Sequence, residues 1–205
     1  LQSSAASDVY KRQVLNNEVN PHMVDILREF DGKARGIHGE DIFLAEKMTG
    51  RDSSTNESCD WGFVGSINSV DVEPIDAYMK SEIVPVITPL AQDTKGQIFN
   101  VNADDAATAV ACALNARKLV FLSDVPGLLH DPLDSDSLIS SLHLNEVQEL
   151  IQRGVIKGGM LPKINGMVKA VESGIKKAHI IDAALPHSLL LELFTSDGVG
   201  TEILK

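Results

Sequence analysis

Residues 83–87, Ile-Val-Pro-Val-Ile, carry no polar side chain on either face. A strand apolar on both faces belongs inside a sheet that is covered on both sides. Residues 118–122 (KLVFL) read as a second buried strand, and 179–181 as a strand. Weaker strand patterns fall at 33–37, 42–45, 62–72 (a strand or hairpin), 98–101 and 199–204. Helical spacing fills the gaps. Residues 20–30 have apolar side chains at three- and four-residue steps, Pro21 near the start and Asp31-Gly32 after the end. Residues 75–81 read as a short helix. Residues 104–116 place Ala106, Val110, Ala113 and Leu114 on one face, and their small side chains permit close packing on a sheet. Residues 145–153, 162–173 and 186–194 complete the set. Strands alternating with helices predict an α/β fold: a three-layer αβα sandwich with a mainly parallel central sheet. The polar, Ser-rich segment 51–60 predicts a surface loop.

Composition narrows the function classes. The 205 residues hold 18 Lys and Arg against 29 Asp and Glu, a formal charge of −11. That balance argues against nucleic acid or an anionic membrane as partner, because both require clustered cations. It leaves room for a small anionic substrate in a locally basic site. At 43% hydrophobic and 23% charged residues the chain has the makings of a packed core. No apolar run approaches the ~20 residues of a membrane span, and no leader pattern is visible. Cys59 and Cys112 lack metal-ligand spacing and are too few for a disulfide framework. The expected setting is a reducing cytoplasm, and no resident metal site is expected.

Residues 1–13 stand apart from the rest. Asp8-Val9-Tyr10-Lys11-Arg12-Gln13, back-translated as GAT GTG TAT AAG AGA CAG, matches the end of a transposon adaptor used to fragment DNA, and the chain begins with Leu. The expectation is that 1–13 is a translated read-end and that the gene continues upstream, so fold reasoning starts at Val14.

In open α/β sheets ligands gather beyond the carboxyl ends of the strands, which directs attention to four junctions. At 99–105 a strand ends in Asn100 and Asn102, placed on one face by alternation, and Asp104 opens a helix as a plausible cap. Amide donors there suit carboxylate or phosphoryl oxygens; the plain structural alternative is a capped turn. At 122–129 a buried strand ends in Ser123-Asp124, and Pro126-Gly127 makes a turn where a ligand can approach the backbone; a tight turn alone would look the same. At 157–163 Gly158-Gly159 precede a helix expected to start at Pro162. Unsatisfied N–H groups at a helix start attract anions, whereas Lys163 opposes the helix dipole there. An anionic ligand would explain it; an exposed lysine is the bland alternative. No Walker loop and no G-x-G-x-x-G after a strand is present, which disfavours a Rossmann-type oxidoreductase. At 192–201 a helix passes through Gly198 and Gly200 into a strand, either a hairpin-like connection or a ligand loop.

In this order and spacing the junctions FNVNAD (99–104), LSDVPGL (122–128), GGMLPK (158–163), AHIID (178–182) and PHSLLLELFTSDGVGT (186–201) resemble the amino acid kinase family. Within it they resemble the branch that uses MgATP to phosphorylate the γ-carboxylate of N-acetyl-L-glutamate in arginine biosynthesis. The resemblance covers 14–205 and implies two halves, with 14–103 the remainder of the amino-acid-substrate half and 104–205 the nucleotide half. It implies that Asn100 holds the amino-acid substrate with Asn102 beside it, that Asp104 organises the catalytic lysines, and that Lys163 stabilises the transferring phosphoryl group. It implies nucleotide contacts at Asp124, Val125, Pro126, Gly127, Leu128 and Leu129, and at Val155, Ile156 and Lys157. Mg²⁺ would ride on the ATP phosphates. His179, Glu192 and Gly198 resemble the site of feedback inhibition by L-arginine, with Glu192 a candidate for bidentate pairing to the guanidinium. The full-length protein is expected to be a homo-oligomer.

Most of the departures lie upstream. The family's Lys-x-Gly-Gly stretch, substrate-contacting Gly-Gly pair and substrate arginine have no counterpart after Val14, and His130 stands where an acidic residue is usual. The expectation is an amino-terminally truncated fragment that lacks sheet strands and turnover. The alternatives are a related kinase (glutamate 5-kinase, aspartokinase or aminoadipate kinase) and a non-catalytic subunit that senses nucleotide or arginine.

Overall fold

The computed structural model describes residues 5–51, 58–131, 133–195 and 198–205. They form two compact units, Leu1–Ala109 and Val110–Lys205.

The first unit opens with helix α1 (Ala5–Val14), a π-helical turn at Leu15–Val19, and α2 (Asn20–Glu29). Pro21 sits in the first turn of α2, directly after the π-helical turn. The helix stops as the sequence predicts, but Asp31 rather than Gly32 takes the left-handed conformation, at φ 59°. Gly32 N–H closes the end on the Leu27 carbonyl at 2.9 Å. Strand β1 (Ala34–Ile37) pairs in parallel with β4 (Val84–Ile87). Strands β2 (Phe43–Arg51), β3 (Ser58–Val70), β5 (Leu90–Gln92) and β6 (Ile98–Asn100) close into a four-stranded barrel in the order β2-β3-β6-β5. Helix α3 (Glu73–Lys80) precedes β4, and α4 (Ala103–Ala113) follows β6 across the boundary between the units.

A buried polar cluster ties the start of this unit to its strands. Glu40 is 4% exposed, and its Oε1 accepts from Arg12 Nε at 3.0 Å and Asn16 Nδ2 at 2.8 Å. Thr88 Oγ1 donates to Asn16 Oδ1 and accepts from Gly39 N–H, both at 2.9 Å. Arg12 lies in the segment the sequence sets apart as foreign.

The second unit holds β7 (Lys118–Ser123), β8 (Ser141–His143), β9 (Lys177–Asp182) and β10 (Thr201–Leu204) in the order β7-β9-β10-β8. β7 and β9 are parallel, β10 and β8 are parallel, and β9 and β10 are antiparallel. Helices α5 (Leu144–Gln152), α6 (Met160–Glu172) and α7 (Ser188–Phe194) cover this sheet. Strand alternation separates their faces. Phe121 pairs in register with Ile180 on the side approached by Lys163 of α6, while His179 points to the opposite side and bonds Glu192 of α7. Ile164, Met167, Ala178, Ile180, Ile181 and Ile203 are fully buried between these layers. Burying each larger one contributes about 1.5–3 kcal/mol. The fold is therefore α/β, with helices on both faces of a largely parallel sheet.

Three expectations need correction, and one feature had no counterpart among them. Of residues 83–87, Val84–Ile87 form a parallel strand, but among the described residues it pairs only with β1 and is not central; Val84 is 52% exposed. The barrel was not foreseen, because β5 and β6 are three residues each, too short for alternation to register. Of the loop expected at 51–60, Arg51 and Ser58–Asp60 belong to strands, and 52–57 lie outside the described residues. Helix α6 starts at Met160, so Pro162 is its third residue and not its first. The first N–H groups of a helix have no partner within the helix, so proline is tolerated in that turn.

Candidate functional site

Two parallel strands of the second unit end side by side, Ser123 next to Asp182. Ser123 O accepts from Ala183 N–H at 2.8 Å, and Asp182 Oδ1 accepts from Ala184 N–H at 2.7 Å, so both strand ends are held. Beyond β7 the chain turns through Asp124, which is exposed, and Val125 and Pro126, which are half-buried. Gly127 and Leu128 are buried, against the expectation of an open backbone. A side chain on Gly127 would stand 2.5 Å from Thr201 Oγ1, and Leu128 N–H donates to that same oxygen at 2.8 Å. Glycine is required here by the neighbouring strand. Leu129, half-buried, bridges to Leu138 and closes the turn.

The loop before α6 contributes the second element. Ile156 is 1% exposed and anchors it; Val155 is half-buried and Lys157 exposed. Gly158 and Gly159 face open space, with nothing within 4 Å of where a side chain would begin. Backbone there is accessible just before a helix, where an anion can approach, while the first helical N–H groups, those of Met160 and Leu161, donate to the Lys157 and Gly158 carbonyls at 3.3 and 3.2 Å. Lys163 is half-buried in the first turn, its Nζ 5.7 Å from the centroid of the Phe121 ring on β7.

In the first unit, Asn100 ends β6, opposite Leu90 and Val64. Asn102 has left the strand: its Oδ1 accepts from Asp104 N–H at 2.8 Å and Asp105 N–H at 3.2 Å. Asn102, and not Asp104, caps α4. Asp104 sits half-buried in the first turn, where a carboxylate suits the dipole, and its carbonyl accepts from Thr108 Oγ1 at 2.8 Å.

His179, Glu192 and Gly198 come together at the other end of the second unit's strands. They border a cleft of about 380 Å³ that Lys118, Lys177 and Glu202 also line. His179 Nδ1 and Glu192 Oε1 are 2.6 Å apart. Glu192 Oε2 accepts from Val199 N–H at 2.7 Å and Gly200 N–H at 3.1 Å. Gly198, at φ 63°, lets the backbone wrap this carboxylate; a side chain there would stand 2.7 Å from Oε2. Burial alone raises the Glu192 pKa, but the Val199 N–H, the His179 ring and charge, and the Gly200 N–H outweigh it and leave the group below the ordinary carboxylate value. Both oxygens are engaged, so the two-pronged guanidinium pairing expected from the sequence would compete with these bonds. His179 Nε2 is buried without a partner among the described residues.

The profile of the amino acid kinase family matches residues 2–182. This chain belongs to the amino acid kinase family. It is 42% identical over 198 residues to an acetylglutamate kinase of Methanobrevibacter smithii, covering 94% of this chain and 68% of that one. It is 42% identical to an acetylglutamate kinase of Archaeoglobus fulgidus over 194 residues, 93% of this chain and 67% of that one. The chain thus spans about two thirds of the length of these relatives. Among solved structures it resembles N-acetylglutamate synthase from Neisseria gonorrhoeae complexed with coenzyme A and N-acetyl-glutamate, with a TM-score of 0.81 and 26% identity over 98% of this chain and 44% of that one.

The sequence singled out Lys163 and the turn at 124–129 without their supports. Phe121 reads as one more apolar strand residue, and Thr201 as the start of the last strand. Lys118 and Lys177 open strands of similar pattern, a signal that places both at one end of a parallel pair.

Proposed function

We propose that this chain belongs to an enzyme that uses ATP to phosphorylate the γ-carboxylate of N-acetyl-L-glutamate in arginine biosynthesis. The observation that carries this reading is the first turn of α6, where Lys163 sits over β7 behind the open backbone at Gly158-Gly159. The identities to acetylglutamate kinases favour N-acetylglutamate over glutamate, aspartate or aminoadipate as acceptor.

In the reaction a carboxylate oxygen bonds to the γ-phosphorus while the bond from that phosphorus to the β–γ bridging oxygen breaks, and ADP leaves. A carboxylate is already nucleophilic, so no base is required, and catalysis rests on alignment and charge neutralisation. Lys163 supplies a cation to the transferring oxygens, and the open backbone at Gly158-Gly159 adds fixed dipoles. Asp124, Val125, Pro126 and Leu129 border the nucleotide, on a turn that Gly127 and Leu128 anchor to Thr201. Val155, Ile156 and Lys157 form the second border. Mg²⁺ would arrive on the phosphates of ATP, with few protein ligands of its own. In the first unit Asn100 takes the amino-acid substrate, and Asn102 and Asp104 order the start of α4 beside it.

The cleft at His179, Glu192 and Gly198 is proposed as the arginine site. Glu202 and Lys177, paired at 2.7 Å, and Lys118 line this cleft with both signs of charge, which suits a ligand that carries both and could exchange that pair for its own. A cytoplasmic homo-oligomer is the setting this reading implies.

Calorimetric titration of MgATP into the folded chain tests the reading. Saturable binding that weakens about tenfold or more in Lys163→Ala is expected. A folded chain with no saturable binding would remove the nucleotide site from this polypeptide.

A further inference from the structure

We propose that Phe121 is a positioning residue. The face of its ring holds the Lys163 ammonium over β7 and thereby sets the preference of the site for a nucleoside triphosphate over a diphosphate. This inference rests on the nucleotide reading above and deepens it.

The geometry is that of a cation on an aromatic face. Lys163 Nζ lies 5.7 Å from the ring centroid, within the ~6 Å at which the ring quadrupole attracts an ammonium. The ring itself has little freedom: Phe121 is 4% exposed and lies in register with the fully buried Ile180. Lysine, in contrast, is a point charge on a flexible four-carbon stem. In the first turn of α6 the helix dipole repels it. The Phe121 ring, fixed in the core, is a group that attracts this ammonium inward. Leu119, also buried on β7, fills space equally well but offers no π-face. Phe121 stands two residues before Ser123, where the strand ends and the nucleotide turn begins. The ring therefore keeps the ammonium near the place where terminal phosphates would be received, before any ligand arrives.

A ring that orders Lys163 matters only for the phosphate that Lys163 touches. A ring that merely fills the core affects every ligand and every background alike. The experiment is a pair of titrations, MgATP and MgADP, on the full chain and on Phe121→Leu, Phe121→Tyr, Lys163→Met and Phe121→Leu/Lys163→Met. Melting curves confirm that each is folded, and Phe121→Met substitutes for the leucine variant if that one unfolds. The expected result is that Phe121→Leu weakens MgATP about two- to fivefold, the range for one cation–π contact. MgADP should change less than twofold, Phe121→Tyr should bind MgATP like the parent, and Phe121→Leu should have no effect once Lys163 is Met. Equal weakening of both nucleotides, an unchanged effect in the Lys163→Met background, or no effect at all would overturn the role of the ring while leaving the nucleotide site in place. Absence of saturable binding of either nucleotide to the parent would overturn the nucleotide reading, and the ring's role with it.

Discussion

His179 Nδ1 and Glu192 Oε1 stand 2.6 Å apart, with both residues buried, and join the strand β9 to the helix α7. Because the other carboxylate oxygen receives the Val199 and Gly200 N–H groups, one side chain fastens helix α7 to strand β9 and to the segment that leads from α7 into β10. Glu192→Gln keeps the size but removes the charge from all three bonds. Hydrogen bonds to charged groups are worth about 1.5–3 kcal/mol, and a loss of about 2–3 kcal/mol is expected in urea unfolding of the second unit. An unchanged midpoint would show that the carboxylate contributes nothing to holding the segment.

The same residue carries a pH signature. The Glu192 pKa is lower in the folded chain than its ordinary value. The unfolded state therefore binds the proton more readily, and the stability it contributes is complete above the ordinary carboxylate range. It is lost as pH falls from about 5 through the lowered value. Melting temperatures measured from pH 7 down to pH 3 should fall more steeply for the parent than for Glu192→Gln, and parallel curves would contradict this.

Thr201 is fully buried, and its hydroxyl accepts from Leu128 N–H. Thr201→Val preserves shape and leaves that N–H without a partner. The expected cost is about 1–3 kcal/mol, with faster amide exchange at Leu128 as the local readout. Exchange at Leu128 equal to that of the parent would count against the turn being held from the last strand.

Asn102 caps α4 through its side-chain oxygen. Asn102→Ala should cost about 1 kcal/mol, and Asn102→Ser should recover most of it, because serine is a comparable cap. Thermal unfolding of both variants checks this. A serine variant as unstable as the alanine one would mean that the amide does something other than capping.

Long periodic patterns were legible in the sequence. The helices ending near Glu29, Gln152 and Glu172 and the strand ending at Ser123 lie within a few residues of their expected bounds. What escaped was set by partners distant in the chain. Gly127 looked like a ligand contact because its reason, Thr201, is 74 residues away in numbering. Asn102 looked like a strand residue because alternation does not reveal where a strand stops. Lys163 stood out by opposing a helix dipole, yet nothing local marks Phe121 as the ring beneath it. The barrel was hidden because its shorter strands owe their conformation to neighbours and not to their own alternation.

The order β7-β9-β10-β8 has a consequence for how this chain is made. Among the described residues, β8 finds its sheet neighbour in β10, a segment the ribosome delivers only some sixty residues later in numbering. Until Thr201–Leu204 emerges, β9 has one bare edge, β8 has nothing to pair with, and the nucleotide turn lacks the hydroxyl that fastens it. A nascent chain paused before this point would offer open strand edges to chaperones and to other nascent chains. A few late residues thus decide when the second unit stops being vulnerable.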